Sequence, residues 1–266
     1  MFGKLTRNEK VACSSHVTSS TETVDHSGRL FFVFERKCYC MEKPYYTAYD
    51  DRYRQVHRES LRWFAESPSP IVYDTIREFG VLPEHSLLEI GCGEGRDARF
   101  LLRRGYNLIA TDVSPAAVAF CRKEVPEYAQ NFLVMDFLNT DCSAEFDFIY
   151  AVAVVHMLVP DCDRAAFYRF IREHLSQSGI GLICSMGDGT MQRQSDISKA
   201  FDLQDRTHEP TGQQLKIATT SYRAVSFDTF EEELRSANLN ILKKGITVVE
   251  PDYGSMMYAV VKKADR

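Results

Sequence analysis

No stretch of the 266-residue chain is apolar for long enough to span a bilayer. No run of basic residues stands anywhere in it, and the net charge is -5. A polyanionic nucleic acid is therefore not the expected partner. The eight cysteines lie scattered, and the closest two, Cys38 and Cys40, have one residue between them where a zinc knuckle or a redox pair needs two. Several of the others fall inside predicted strands or helices, where a free thiol behaves as a small hydrophobe. This usage indicates a reduced, cytosolic protein without a structural metal. The phosphate-cradling pattern G-x-x-x-x-G-K-[ST] is missing, and no local Ser–His or Cys–His arrangement marks a nucleophile.

What is present is a strand running into alternating glycines. Leu87, Leu88, Glu89 and Ile90 lead to Gly91, Cys92, Gly93, Glu94 and Gly95, and Arg96 opens a helix-like segment. A strand, a glycine turn and a helix start let a ligand approach bare backbone N–H groups. A dinucleotide, a nucleotide phosphate and S-adenosylmethionine are the candidate ligands. The dinucleotide fingerprint G-x-G-x-x-G puts its third glycine at position 96, which is an arginine here. Glu89 stands two residues before the first glycine, an acid suited to a cationic, phosphate-free ligand.

Acids recur at the ends of the following strands. Leu108, Ile109, Ala110 and Thr111 lead to Asp112, about twenty residues past the glycines, where an acid accepts hydrogen bonds from ribose hydroxyls. Ser114 and Pro115 read as the N-cap and first residue of a helix. A third strand ends in Asp136 and Phe137. A fourth, 146–156, is almost continuously apolar, as a strand covered on both faces should be. Each acid alone is also explained as a turn or cap residue. Their order after a glycine loop favours a ligand site.

The run from Glu89 to Gly95 resembles the first motif of the class I S-adenosylmethionine-dependent methyltransferases. That resemblance implies a Rossmann-like α/β fold: a seven-stranded, mostly parallel sheet with helices on both faces and a C-terminal antiparallel hairpin. It implies S-adenosylmethionine as cofactor, bound by Glu89, Gly91, Cys92, Gly93 and Gly95, by Asp112 and Val113 at the ribose, and by Asp136 and Phe137 at the adenine. Ala151 and Val152 on the fourth strand complete that set, with Tyr49 and Arg54 from a helix closing over the pocket. Arg54 is expected at the cofactor carboxylate; the alternative is that it is solvated. His156, just past the fourth strand, is expected to act as a base or to orient the acceptor; the alternative is a structural histidine. Over 84–190 the chain is similar to the tellurite-resistance and thiopurine-type enzymes, which act on small molecules. The Asn/Asp-Pro-Pro-Tyr/Phe motif of many enzymes that methylate nucleic-acid bases is absent; Ala151, Val152, Ala153 and Val154 stand there. The expected function is methyl transfer to a small molecule, with no nucleic-acid or membrane partner. A nicotinamide oxidoreductase, disfavoured by Arg96, and a non-catalytic cofactor-binding module are the alternatives.

Around this centre, residues 1–40 read as an unstructured extension and Met41 as the start of one domain, 41–266. Apolar spacing predicts amphipathic helix through Ser60 to Ala65 and a second helix from Ile71 to Phe79, so 41–80 forms cap helices. A helix through 163–175, a fifth strand ending at Met186, a helix from Phe227 and two final strands follow. Segment 187–224, polar and carrying Arg193, Asp196, Arg206 and His208, is expected to be a long lid loop over the acceptor.

Overall fold

The computed structural model describes residues 10–13, 16–24, 30–34, 43–63, 66–140, 143–208, 210–249 and 253–264. The chain divides into two compact units, Met1–Lys43 and Pro44–Arg266. In the first, strands β1 (Lys10–Cys13), β2 (His16–Val24) and β3 (Leu30–Phe34) form an antiparallel sheet in that order. The stretch expected to be unstructured thus contains three strands. Its valines and threonines are β-branched, which favours extended backbone even without alternating hydrophobicity. The rest of 1–40 lies outside the described residues.

The second unit is an α/β layer structure. Its elements run α1 (Ala48–Arg58), α2 (Pro70–Glu78), β4 (Leu87–Ile90), α3 (Arg96–Leu102), β5 (Leu108–Asp112), α4 (Pro115–Glu124), β6 (Phe132–Val134), β7 (Phe146–Val152), α5 (Asp161–His174) and β8 (Leu175–Met186). Then come β9 (Arg193–Gln194), β10 (Leu203–Thr207), β11 (Gln214–Ala218), β12 (Arg223–Ala224), α6 (Phe227–Ser236), β13 (Leu239–Val249) and β14 (Tyr253–Lys263). Seven strands make one sheet, in the order β13-β14-β8-β7-β4-β5-β6. β4 is parallel to β5 and β7, and β7 to β8; β14 runs antiparallel to both its neighbours. This is the expected sheet. The turn joining β13 to β14 lies largely outside the described residues.

The chain leaves β4 in one direction through β5 and β6, then returns to its other side through β7 and β8. That reversal opens a crevice at the carboxyl ends of β4 and β7, the place where open α/β sheets hold ligands. Beneath it lies the core, in which Leu87, Leu101, Leu108, Phe132, Phe148, Tyr150 and Leu182 are all buried.

Three boundaries differ from expectation. The predicted helix at 60–65 does not form over its described part, because α1 ends at Arg58 and Ser60 takes a left-handed φ of 57°. β7 stops at Val152, where Ala153 turns left-handed at φ 59°, so His156 sits in a short 3-10 turn, Val155–Met157. Segment 187–224 is no open loop. β10 and β11 form a hairpin, and β9 pairs with β12.

Candidate active site

The three glycines of the first motif all adopt positive φ, at 72°, 53° and 74°. Gly91 makes the turn off β4 where no side chain fits: a Cβ would lie 2.4 Å from Cγ2 of Val154. Gly95 caps α3 and faces Cys121 and Phe132, so it allows close packing and does not border the cavity. The Gly93 N–H donates to Asp112 Oδ2 at 2.8 Å, and the Ser114 N–H to Oδ1 at 2.8 Å. Asp112 is thus fixed against the glycine turn, and burial pushes its carboxyl up to about 6 against those two bonds. Ser114 caps α4 as expected, accepting from the Ala117 N–H at 3.1 Å.

A cavity of about 850 Å3, counting its mouth, opens above these groups. Its lining follows the order of the sheet. Met135, Asp136 and Phe137 come from the end of β6, Asp112 and Val113 from β5. Glu89, Ile90, Gly91, Cys92, Gly93, Arg96 and Asp97 come from β4 and the turn beyond it, and 152–154 from β7. Tyr46, Tyr49, Tyr53, Met157 and Leu158 complete it. Glu89 is buried and accepts from the Tyr150 hydroxyl at 3.0 Å. Asp97 is also buried and accepts from the Ser69 N–H and hydroxyl. Burial raises both carboxyls, that of Glu89 well above the usual range, with Asp97 adding to the push; Arg96 opposes both.

Helix α1, which gives Tyr49 and Tyr53 to this lining, is tied to the 187–224 segment. The buried Arg52 guanidinium donates to the carbonyls of Ala218 and Thr219, and the Ala218 N–H donates to Gln55 at 2.7 Å. The Tyr49 hydroxyl donates to the Ser221 carbonyl at 2.9 Å, and the Ser221 hydroxyl to the Met157 carbonyl at 2.8 Å. Val56 packs on Leu215 and Ile217.

The cavity brings together Glu89, Gly91, Cys92, Gly93, Asp112, Val113, Asp136, Phe137, Val152 and Tyr49 from the expected set. Gly95, Ala151, Arg54 and His156 are not among its lining. Arg54 is 55% exposed in its side chain and pairs with Asp50 one turn back at 2.7 Å. Its place on α1 turns it to solvent while Arg52 faces inward. Ala151 is buried within the sheet. His156 is 3% exposed, its Nδ1 has no hydrogen-bond partner among the described residues, and burial with nearby Arg164 lowers it to about 3. Tyr46, Arg96, Asp97 and Met157 are lining residues that the sequence reading did not assign. Arg96 appears there only as the residue that breaks the dinucleotide fingerprint, although its place at the start of α3 points to the same crevice. Among the described residues, no group of three or more His, Cys, Asp or Glu side chains is arranged to hold a metal. No helix among them is long and apolar enough to cross a membrane.

Residues 87–179 match the methyltransferase-domain family. The fold is shared with 1,6-didemethyltoxoflavin-N1-methyltransferase of Burkholderia thailandensis, solved with S-adenosylhomocysteine bound (TM-score 0.62, 18% identity, 95% of this chain and 97% of that one). It is also shared with the CcbJ methyltransferase of Streptomyces caelestis (TM-score 0.61, 13% identity, 84% and 100%). A 75-residue stretch is 35% identical to ribosomal RNA small subunit methyltransferase A of Porphyromonas gingivalis, spanning 28% of this chain and 28% of that relative. Residues 87–179 are thus similar to the methyltransferase-domain family, and the chain shares its fold with S-adenosylmethionine-dependent methyltransferases. The narrower likeness to tellurite-resistance and thiopurine-type enzymes finds no counterpart in these matches. The ribosomal RNA relative also removes the ground for excluding a nucleic acid on charge alone.

Proposed function

We propose that this chain transfers a methyl group from S-adenosylmethionine to a small-molecule acceptor, releasing S-adenosylhomocysteine. The observation that carries this reading is the order of cavity groups across the sheet. The buried acids Glu89 and Asp97, with Arg96 beside them, suit the ammonium and carboxylate of the methionine end. Gly91 and Gly93 keep that approach clear of side chains. Asp112 suits the ribose hydroxyls, and Asp136 with Phe137 suits the adenine. S-adenosylmethionine supplies a methyl group already activated by its sulfonium, so the chain's task is to align the acceptor and keep water out. Tyr49, Tyr53, Val154 and Met157 line the cavity where β7 and α1 approach. The 41–80 and 187–224 segments serve as its cap, and the bonds from side chains of α1 to the main chain of 218–221 favour a small, enclosed acceptor. His156, buried beside Tyr253 (ring centroids 6.0 Å apart) and outside the cavity lining, is not placed to take a proton from an acceptor there. An acceptor whose nucleophile needs no deprotonation, such as a thiolate or a ring nitrogen, matches that.

The test is a panel of small thiols, amines, heteroaromatics and hydroxyl compounds, with a structured RNA as a further arm, assayed for S-adenosylhomocysteine release. Turnover confined to a small molecule supports the proposal. Turnover confined to RNA overturns it.

A further inference from the structure

Tyr46 belongs to no motif and precedes α1, 90 residues from Asp136 in sequence. It lines the cavity, and its hydroxyl donates to Asp136 Oδ2 at 2.8 Å. Asn139 Nδ2 donates to the same oxygen at 2.8 Å and to the Tyr46 hydroxyl oxygen at 3.2 Å. The Leu138 N–H donates to Oδ1 at 3.1 Å. A carboxylate offers about four lone-pair sites, two on each oxygen. Among the described residues Oδ2 therefore has both filled, and Oδ1 keeps one. The next side chain back is pinned as well: the Tyr45 hydroxyl donates to Asp163 Oδ2 at 2.8 Å, in the first turn of α5, and the two tyrosine rings meet edge to face at 5.3 Å.

We infer that Tyr46 is a positioning residue for base recognition: it locks the Asp136 carboxylate so that only Oδ1 faces a base, as an acceptor for an exocyclic amino group. The inference rests on the reading of Asp136 as the adenine-facing acid. The terminal torsion of an aspartate is broad and nearly two-fold. Untethered, the carboxyl turns, takes up water and loses its fixed polarity. Held by three donors it stays an acceptor. It then rewards an amino group and repels the carbonyl oxygen that hypoxanthine carries at the same ring position.

The test is binding, without turnover, of S-adenosylhomocysteine and S-inosylhomocysteine by titration calorimetry. The wild-type chain should prefer the adenosyl compound. Tyr46→Phe, which keeps the ring, should lower that preference by roughly five- to tenfold, the upper part of the range for one ordinary hydrogen bond, and should release S-adenosylhomocysteine faster. Asn139→Ala, at an exposed position that does not endanger folding, should shift the preference in the same direction. If both variants keep the wild-type preference while Asp136→Asn collapses it, the inference about Tyr46 is overturned. If Asp136→Asn also leaves the preference unchanged, it is the reading of Asp136 that fails.

Discussion

Glu94 Oε1 lies 2.8 Å from His57 Nε2 and also accepts the Trp63 N–H at 2.9 Å. The glycine turn and the helix that roofs it are therefore joined at a buried acid. Glu94→Ala leaves the Trp63 N–H without its carboxylate and frees the end of α1. We expect S-adenosylhomocysteine to dissociate faster from this variant, with protection from hydrogen exchange falling in both α1 and the 214–218 strand. Loss of protection in α1 alone would contradict the coupling of helix and insert.

Asp112 carries the second prediction. Asp112→Ala removes the carboxylate held by Gly93 and Ser114, and should weaken cofactor binding by about 1–3 kcal/mol. Calorimetry with S-adenosylhomocysteine reads this directly, and unchanged affinity would remove Asp112 from the site.

Gly91 tests the shape of the cradle. Gly91→Ala must place a Cβ against Val154 and hold a left-handed backbone, which costs a residue with a side chain roughly 1–2 kcal/mol. Cofactor affinity and stability should both fall. Adding Val154→Ala relieves the contact and leaves the backbone cost, so recovery should be partial. Full recovery would mean that φ at Gly91 carries no strain.

His156 gives a prediction with a sign. Its folded form resists protonation until about pH 3, whereas an unfolded histidine titrates near 6.5. Its contribution to stability is complete above 6.5 and is lost as the pH falls toward 3, by about 1.4 kcal/mol per pH unit. Asp112, raised to about 6, runs the opposite way: its contribution is present in acid and is lost as the pH rises through 6. Comparing His156→Phe with wild type isolates the histidine. In denaturant titrations the variant should gain stability relative to wild type from pH 7 to pH 5. A constant difference would mean that His156 takes up its proton at the same pH in the folded chain as in the unfolded one.

Much of this architecture is legible in residue order. The apolar run into Gly91, the strand-end acids and the Ser114–Pro115 cap all rest on local chemistry, and each falls where spacing puts it. The failures are tertiary. Arg54 and Arg52 are both cations on α1, and only the packing of Val56 against Leu215 and Ile217 decides which faces inward. His156 follows an apolar strand, but the left-handed turn at Ala153 takes it out of the cavity lining. The polar residues of 187–224 read as loop because their partners lie on α1, more than 150 residues earlier. Tyr46 carries no motif signal at all.

The proposed function requires that the cavity at the ends of β4, β5 and β7 take the adenosyl-methionine skeleton. Titration calorimetry of the chain against S-adenosylhomocysteine and NAD tests it. Saturable one-to-one binding of S-adenosylhomocysteine is expected, weakened by Asp112→Ala and unaffected by Arg54→Ala, with no binding of NAD. Binding of NAD without S-adenosylhomocysteine would contradict it.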